Sequence, residues 1–349
     1  MRRLPIYLLI DVSESMVGEN IRLMQEGLEQ LVRTLRADPY ALETAYISVI
    51  GFAGKAKTLT PLVELVQFYP PRLPLGSGTS LGAAMTHLMN EMSRDVKRTT
   101  VEVKGDWKPI VFVLTDGKPT DDIDLAANRW KKDFANRASL VGIGVGKTAS
   151  LAALQKFTET VLSLDANTPA DFKRFIDWVS RSVSTQSRSV SANQDSKISL
   201  AKIDDDIMRK IEGIAKAATV DEDFVIIAGK CQTTKLPYLI KYERLPQKFE
   251  IREVEILADR FNLVGVHPAE KDYYELSDER ALALTVNTDR LMGAPGCPHC
   301  ANRFALAMCG CGQILCVKGL GEAVCPTCNA ELNMQSSDDE GFDVNRARG

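Results

Sequence analysis

The segment Ile6-Tyr-Leu-Leu-Ile-Asp-Val-Ser-Glu-Ser15 decides the fold of the first half of the chain. Its first five residues are apolar, as in a parallel strand that is buried on both faces, and the run ends at Asp11. In an extended segment alternate side chains point the same way, so Asp11, Ser13 and Ser15 converge. Ligands of open α/β sheets bind in the crevice outside such strand ends. The segment therefore predicts a buried strand with a polar site at its carboxyl end.

The rest of the first half alternates apolar runs with amphipathic helix patterns. We predict further strands at Ala45 to Ala53, Lys57 to Val66, Pro109 to Leu114, Leu140 to Val145 and Val161 to Leu164. We predict helices around Ile21 to Leu35, Leu81 to Met92, Ile123 to Phe134, Leu151 to Phe157 and Phe172 to Val179. Strands that alternate with helices imply a mostly parallel sheet covered on both faces. Residues 1–181 are therefore predicted to form a doubly wound, Rossmann-like α/β domain.

The composition of the 349-residue chain is that of a protein with several globular domains. At about 100–200 residues per domain, the length predicts two or three. A net charge of −3 argues against a protein built chiefly to coat nucleic acid or an anionic membrane. The apolar run after Arg3 stops at Asp11, before a signal-peptide core is complete, and no stretch approaches the roughly 18 residues of a membrane helix. We expect a soluble, cytoplasmic protein without a membrane partner.

The composition changes after residue 181. Residues 182–199 hold seven serines and one threonine, which predicts a Ser-rich linker and a candidate phosphorylation segment. Residues 200–290 are predicted to form a β-rich domain of unassigned role, which begins with a helix at Leu200 to Ile214. Its strands are predicted at Phe224 to Ala228, Tyr238 to Tyr242, Phe249 to Leu257 and Phe261 to Val266. The polar tail, residues 333–349, is predicted to be disordered.

Further oxygen-bearing side chains are expected beside Asp11. Asp116 ends a later central strand, and Thr79 lies in the loop Gly76-Ser-Gly-Thr-Ser80 before a helix. Together with Ser13 and Ser15 they offer carboxylates and hydroxyls without nitrogen or sulfur, a donor set that suits Mg²⁺ or another divalent cation. The alternative is that these residues are ordinary helix caps and turn residues.

The carboxyl-terminal part carries a second candidate metal site. The pairs Cys297-Pro-His-Cys300 and Cys325-Pro-Thr-Cys328 can close a tetrahedral Zn²⁺ shell with four thiolates. Strand-like segments at Arg303 to Met308 and Gln313 to Val317 lie between the pairs, so residues 296–332 are predicted to form a zinc ribbon.

The remaining cysteines leave alternatives open. Cys309, Cys311 and Cys316 could form a second site with His299, could replace a member of the two pairs, or could be packed thiols. Cys231 stands apart in the sequence and is predicted to be a small buried apolar residue.

The order Asp11-x-Ser13-x-Ser15, then Thr79, then Thr-Asp116-Gly resembles the metal-ion-dependent adhesion site (MIDAS) of von Willebrand factor A domains. The resemblance covers about residues 1–181 and includes the order of strands and helices. It implies that Asp11, Ser13, Ser15, Thr79 and Asp116 hold Mg²⁺, and that a carboxylate of a partner protein fills the open coordination position.

The cysteine string of the carboxyl-terminal part resembles the metal-binding domain of TerY-type proteins, which are named from bacterial tellurium-resistance clusters. That resemblance implies work beside a Ser/Thr kinase and a PPM-type phosphatase in a bacterial stress-response or phage-defence system. It implies nothing about residues 200–290.

We therefore expect a non-enzymatic, metal-dependent interaction protein that captures an acidic partner residue. One alternative is a metal-dependent hydrolase, because Mg²⁺ beside carboxylates can activate water. Yet none of the histidines, His87, His267 and His299, is close to Asp11 in sequence. The other alternative is nucleic-acid binding through the zinc ribbon. The only lysine or arginine residues of that window are Arg303 and Lys318, which is too few for a good phosphate-binding surface.

Overall fold

The computed structural model describes residues 2–102, 104–116, 118–146, 151–164, 169–191, 208–210, 224–251, 254–278, 284–334 and 341–346. The chain divides into two compact units, Met1–Leu73 with Thr79–Ala218 and Pro74–Gly78 with Thr219–Gly349. Among the described residues, none of the helices combines the length and the hydropathy of a membrane span.

The first unit contains seven strands and six α-helices in its described part. Its strands are β1 (Leu4–Asp11), β2 (Ala45–Phe52), β3 (Ala56–Glu64), β4 (Ile110–Thr115), β5 (Ser139–Val145), β6 (Val161–Leu164) and β7 (Met208–Lys210). Its helices are α1 (Glu19–Arg36), α2 (Pro39–Thr44), α3 (Leu81–Asp95), α4 (Asp124–Asp133), α5 (Leu151–Gln155) and α6 (Pro169–Ser191). A short 3-10 helix, Glu14–Met16, follows β1.

The strands form one sheet in the order β3-β2-β1-β4-β5-β6-β7. The pairs β1–β2, β1–β4, β4–β5 and β5–β6 are parallel, whereas the edge strands β3 and β7 are antiparallel to their neighbours. Every residue of β1 is buried, as the apolar run predicted. The predicted doubly wound, mostly parallel α/β fold is therefore confirmed.

Side chains of β1 pack on both faces of the sheet. Tyr7 and Leu9 belong to a core that includes Leu88 of α3 and Trp130 of α4. On the opposite face, Leu8 and Ile10 line a small apolar cavity together with residues of α1 and α6. Burial of each large apolar side chain contributes about 1.5–3 kcal/mol. These two apolar layers hold the carboxyl ends of β1 and β4 at one edge of the sheet.

Two helices of this unit differ from the sequence predictions. Helix α2 begins at Pro39 because Asp38 accepts a hydrogen bond from the Tyr40 amide at 3.0 Å and proline suits the first helical turn. Helix α6 extends to Ser191, so the first ten residues of the predicted linker are helical. Ser182, Val183 and Ser187 are buried on its packed face, which removes two serines from the accessible phosphorylation segment. Residues 192–199 of the predicted linker lie outside the described residues.

The predicted helix over residues 200–214 lies largely outside the described residues. Its described part, Met208–Lys210, is strand β7, which pairs antiparallel with β6. The three residues therefore extend the sheet of the first unit instead of opening a new domain.

The second unit is built around a six-stranded sheet in the order β12-β10-β9-β8-β14-β13. Its strands are β8 (Phe224–Lys230), β9 (Pro237–Ile251), β10 (Val254–Pro268), β11 (Leu284–Asn287), β12 (Leu291–Met292), β13 (Phe304–Met308), β14 (Ile314–Val317), β15 (Gly321–Val324), β16 (Glu331–Met334) and β17 (Asp343–Arg346). A short helix, α7 (Tyr273–Leu276), and a 3-10 helix, Thr288–Arg290, complete the described elements.

This unit departs from the predicted organisation. Three of the predicted strands merge into β9 and β10, which pair along a long antiparallel hairpin. Strand β14 pairs with β8, so the predicted β-rich domain and the predicted zinc ribbon share one sheet.

The tail is not disordered throughout, because β17 pairs with β11 and buries Val344 in the core of the unit. Val344 and the partly buried Phe342 of this tail pack in that core, and their burial holds the strand. Residues 335–340 and 347–349 of the predicted tail lie outside the described residues.

Candidate metal sites

Four of the five predicted oxygen ligands meet where β1 and β4 end. Ser13 N donates to Asp11 Oδ1 at 2.9 Å, and the Ser13 and Ser15 hydroxyls are 2.9 Å apart. Ser15 Oγ donates to Asp116 Oδ1 at 2.8 Å, which links the two strand ends directly. The chain of contacts brings Asp11, Ser13, Ser15 and Asp116 together. The predicted extended alternation does not continue to Ser15, because β1 ends at Asp11 and Ser15 lies in the 3-10 helix Glu14–Met16.

The environment of Asp11 strongly perturbs its carboxyl group. It is fully buried, and this burial raises its pKa to about 6, although hydrogen bonds from Ser13 and Thr115 oppose the rise. Thr115 Oγ1 donates to the other carboxylate oxygen, Oδ2. A buried carboxylate without a cation beside it is costly, and a divalent cation would offset that cost.

The fifth residue, Thr79, lies on a loop that hydrogen bonds tie to the same edge. Ser80 N donates to Ala53 O at 2.7 Å. Val12 N, which follows Asp11, donates to Phe52 O, the carbonyl just before that of Ala53, at 2.8 Å. Thr79 N donates to Thr120 Oγ1 at 3.0 Å, so the loop is also fixed beside the segment that follows β4.

The buried hydroxyl of Thr79 is suited to be a cation ligand. Thr79 is 1% exposed, and its Oγ1 is buried with no hydrogen-bond partner among the described residues. Buried hydroxyls are almost always hydrogen-bonded, and leaving one unpaired costs about 1–3 kcal/mol. The unpaired oxygen and the carboxylates together are hard donors of the kind that Mg²⁺ binds.

The cysteines form two groups instead of one. In each group all four sulfur atoms lie within 4.8 Å of one another. The inner cluster consists of Cys231, Cys297, Cys300 and Cys316, and the outer cluster consists of Cys309, Cys311, Cys325 and Cys328. Four thiolates at such distances can close a tetrahedral Zn²⁺ shell with no open position.

The inner cluster joins three parts of the second unit. Cys231 follows β8, Cys316 lies on β14, and the pair Cys297 and Cys300 precedes β13. Backbone amides donate to its sulfurs: Gln232 N lies 3.3 Å from Cys316 Sγ, and Thr234 N lies 3.4 Å from Cys231 Sγ. Donors of this kind orient metal ligands and are typical of thiolate sites.

The outer cluster is formed by two turns. Cys309 and Cys311 lie between β13 and β14, whereas Cys325 and Cys328 lie between β15 and β16. The Cys309 and Cys328 sulfurs are 3.6 Å apart, and those of Cys311 and Cys325 are 3.8 Å apart.

This arrangement corrects the predicted zinc ribbon with a single site. The pair Cys297 and Cys300 and the pair Cys325 and Cys328 belong to different clusters, because the β13–β14 hairpin inserts ligands into both. Cys309 and Cys311 complete the outer cluster and Cys316 joins the inner one.

Cys231 is a member of the inner cluster, not simply a small buried apolar residue. Its place in Cys231-Gln-Thr-Thr, a turn between two predicted strands, was the sequence signal available for this role.

The histidines lie outside these clusters. His299 Nε2 lies 2.8 Å from Pro237 O, and His87 Nε2 lies 2.8 Å from Thr58 Oγ1. Burial lowers the pKa of His267 on β10, with a further contribution from Lys241. The candidate use of His299 as a ligand is therefore not supported.

Sequence comparison identifies a domain in each unit. The model of the von Willebrand factor type A domain matches residues 6–175, and that of the TerY-C metal binding domain matches residues 221–349. The chain therefore has the TerY-like domain architecture that the sequence resemblance predicted. A comparison with curated protein sequences gives no match.

Solved structures similar to this chain share low sequence identity with it. Proximal thread matrix protein 1 from the mussel byssus is 20% identical, with a TM-score of 0.39, over 52% of this chain and 48% of that one. The conserved hypothetical protein BatB from Bacteroides thetaiotaomicron is 16% identical, with a TM-score of 0.36, over 51% of this chain and 98% of that one. The ArnB paralog VWA2 from Sulfolobus acidocaldarius is 13% identical, with a TM-score of 0.38, over 77% of this chain and 66% of that one. The chain thus spans about half the length of the mussel protein.

Proposed function

We propose that this chain is a non-enzymatic scaffold whose first unit captures an acidic residue of a partner protein through Mg²⁺. The observation that carries the proposal is the buried Thr79 hydroxyl, which has no partner among the described residues and lies on a loop whose backbone is hydrogen-bonded to the segment after β4. The presence of a von Willebrand factor type A domain and a TerY-C metal binding domain supports a metal-dependent interaction protein in general terms.

The donor set leaves room for a partner. Asp11, Ser13, Ser15, Thr79 and Asp116 supply five oxygens in our proposal, whereas octahedral Mg²⁺ takes six. A carboxylate of an Asp or Glu on the partner would be the sixth ligand. His87, the only histidine in residues 1–218, is hydrogen-bonded to Thr58, so it is committed to a contact outside the proposed site. This arrangement favours binding over hydrolysis.

The second unit would add zinc-stabilised contact surface. We propose that the inner and outer clusters each hold one Zn²⁺ in a closed, structural shell. Two modest contact surfaces on one chain raise apparent affinity without new chemistry. Thiolate zinc sites need a reducing compartment, and we therefore propose a cytoplasmic protein.

The partners that we propose are a Ser/Thr kinase and a PPM-type phosphatase of a bacterial stress-response system, of the tellurium-resistance or phage-defence type. The TerY-like order of domains supports this context. The chemical requirement on either partner is an exposed Asp or Glu, because the open position on Mg²⁺ takes a carboxylate.

A capture experiment tests the proposal. The immobilised full chain is exposed to the purified kinase and phosphatase in Mg²⁺, with and without a chelator. We expect chelator-sensitive binding that Asp11→Ala/Asp116→Ala abolishes while the fold is kept. Asp122→Ala is the matched control. Asp122 is an exposed acidic residue in the segment between β4 and α4, and its side chain accepts a hydrogen bond from the Asp124 amide.

Equal binding by the double variant and the native chain in Mg²⁺ would show that the first unit uses another face. Mg²⁺-dependent turnover of phosphoesters or nucleotides by the native chain, lost in the double variant, would instead support the hydrolase alternative.

A further inference from the structure

The two cysteine clusters differ in their exposure to solvent. In the inner cluster Cys231, Cys297 and Cys316 are buried and Cys300 is half-buried. In the outer cluster Cys311 and Cys328 are exposed, while Cys309 and Cys325 are buried. The outer cluster therefore presents two exposed cysteines to a solvent-borne reagent, whereas the inner cluster presents none.

The apolar surroundings differ in the same sense. Inner-cluster cysteines belong to a core with Val225, Ile227, Tyr238, Ile240 and other residues of the large sheet. The core beside the outer cluster contains Leu315, Val317 and Ala323 besides its own two buried cysteines. Regions with few buried apolar contacts open at low free-energy cost. The four cysteines of the outer cluster can therefore move apart without unfolding of the large sheet.

Each exposed cysteine of the outer cluster has the sulfur of a buried cysteine near its own sulfur. Cys328 lies 3.6 Å from Cys309, and Cys311 lies 3.8 Å from Cys325. Oxidation-sensitive cysteines are accessible thiolates with a second thiol nearby that resolves the first oxidation product. The outer cluster offers this combination twice.

We propose that the outer cluster is an oxidation site for small peroxides, at which Cys328 and Cys311 are attacked first and zinc is released. The proposal rests on the zinc occupancy of the outer cluster that we propose above. It assigns to that cluster a reversible chemical modification in addition to a structural role.

The chemistry balances with hydrogen peroxide as the oxidant. The Cys328 thiolate attacks one peroxide oxygen, the O–O bond breaks, hydroxide leaves, and a sulfenic acid remains on sulfur. The Cys309 thiolate then attacks that sulfur, so an S–S bond forms, the S–O bond breaks, and a second hydroxide leaves. Two solvent protons convert both hydroxides to water. Two thiolates lose two electrons in total, peroxide gains them, and the outer cluster loses two zinc ligands.

The experiment uses the full chain loaded with zinc. Metal analysis first counts the zinc ions, and two per chain are expected. Hydrogen peroxide is then added, a chromogenic chelator follows zinc release, and mass spectrometry identifies disulfide-linked peptides. We expect one of the two ions to leave at least about tenfold faster than the other, with a disulfide of Cys328 to Cys309 or of Cys311 to Cys325. A thiol reductant with added zinc should restore the original count.

The outcomes separate the two proposals. One ion or none before peroxide contradicts the proposed zinc occupancy. Two ions that leave at equal rates, or a first disulfide within the inner cluster, overturn the oxidation site while zinc binding stands.

A variant gives a second test. The chain with Cys311→Ser/Cys328→Ser should hold one zinc and keep it at the peroxide dose that empties the outer cluster of the native chain. Loss of that zinc at this dose overturns the proposal. Brief alkylation of the native, zinc-loaded chain is a third test that needs no variant. We expect Cys311 and Cys328 to be labelled before the other six cysteines. If an inner-cluster cysteine is labelled first, the proposal is also overturned.

Discussion

The two units place their candidate metal ligands differently with respect to the core. In the first unit the sheet and its two apolar layers are complete, and Asp11 and Asp116 project from the strand ends. In the second unit the ligands are themselves core residues, since Cys231, Cys297 and Cys316 pack among Val225, Ile227 and other apolar side chains. The core of the first unit is formed without the metal ligands, whereas the core of the second unit includes them.

The difference teaches what each metal contributes. A closed thiolate shell contributes its binding free energy directly to folding. A cation at the edge of a finished sheet instead offsets the cost of a buried carboxylate and leaves the core unchanged. Ligand substitutions should therefore unfold the second unit and spare the fold of the first.

The largest effect is expected for Cys231→Ser. Loss of this ligand opens the shell that joins β8, β14 and the segment before β13, and structural zinc is worth on the order of 10 kcal/mol in small domains. We expect the zinc count to fall by at least one and backbone amides of β8 and β9 to lose protection from hydrogen exchange, while β1 and β4 stay protected. His299→Ala is the control, because His299 lies beside the inner cluster without joining it and should keep both ions. A folded second unit with one zinc in Cys231→Ser would erase the contrast between the units.

A smaller effect is expected for Cys325→Ser. The outer cluster is supported by a small core, so its loss should free the β15–β16 hairpin and leave the large sheet intact. Hydrogen exchange should rise in residues 321–334 and stay low in β8 and β9. Loss of protection throughout the second unit would show that the two clusters fold as one.

Much of this contrast could be predicted from the sequence, but the partition of ligands could not. The apolar run that ends at Asp11 predicts the buried strand and the polar site at its carboxyl end. The strand period does not explain the place of Ser15, which lies in the 3-10 helix Glu14–Met16. Cys-x-x-Cys pairs predict thiolate metal sites. Which pairs share an ion depends on long-range pairing: β14 lies beside β8, which brings Cys316 to Cys231.

The length of α6 shows a second limit of sequence reasoning. A serine-rich composition predicts a linker, yet a serine inside a helix can donate to the carbonyl four residues earlier, as Ser180 does to Ile176 O at 2.8 Å. Ser180 therefore lies on a buried helix face with its hydroxyl paired. Composition alone therefore placed the start of the linker ten residues too early, inside helix α6.

A moderate effect is expected from pH on the metal-free first unit. The pKa of Asp11 is about 6 in the fold and lies near 4 in an unfolded chain, so the folded state binds the proton more tightly. The contribution of Asp11 therefore makes the unit more stable as the pH falls from 7 to 5, by about 1.3 kcal/mol. Asp11→Asn should remove this slope, and denaturant unfolding with chelator at both pH values measures it. An equal slope in the variant would contradict a desolvated Asp11.

The smallest effect, and the most discriminating, is expected for Thr79→Val. Valine has nearly the same shape as threonine, and it removes a buried hydroxyl that has no partner among the described residues. Without metal the variant should therefore be as stable as the native chain or more stable, by about 1 kcal/mol. In Mg²⁺ the same change removes a neutral ligand, so the stabilisation by Mg²⁺ should shrink without vanishing.

Thr79→Ser keeps the oxygen and is the matched control, expected to retain the full response to Mg²⁺. Thermal unfolding of the three proteins, with chelator and with Mg²⁺, measures the stability of the metal-free chain and its stabilisation by Mg²⁺. If Thr79 Oγ1 is a metal ligand, the difference in stability between Thr79→Val and the native chain should change sign between chelator and Mg²⁺. A hydroxyl that only fills space would give the same difference in both conditions. If Thr79→Val and Thr79→Ser respond equally to Mg²⁺, Thr79 is not a ligand, and the metal would have to be held by Asp11, Ser13, Ser15 and Asp116 alone.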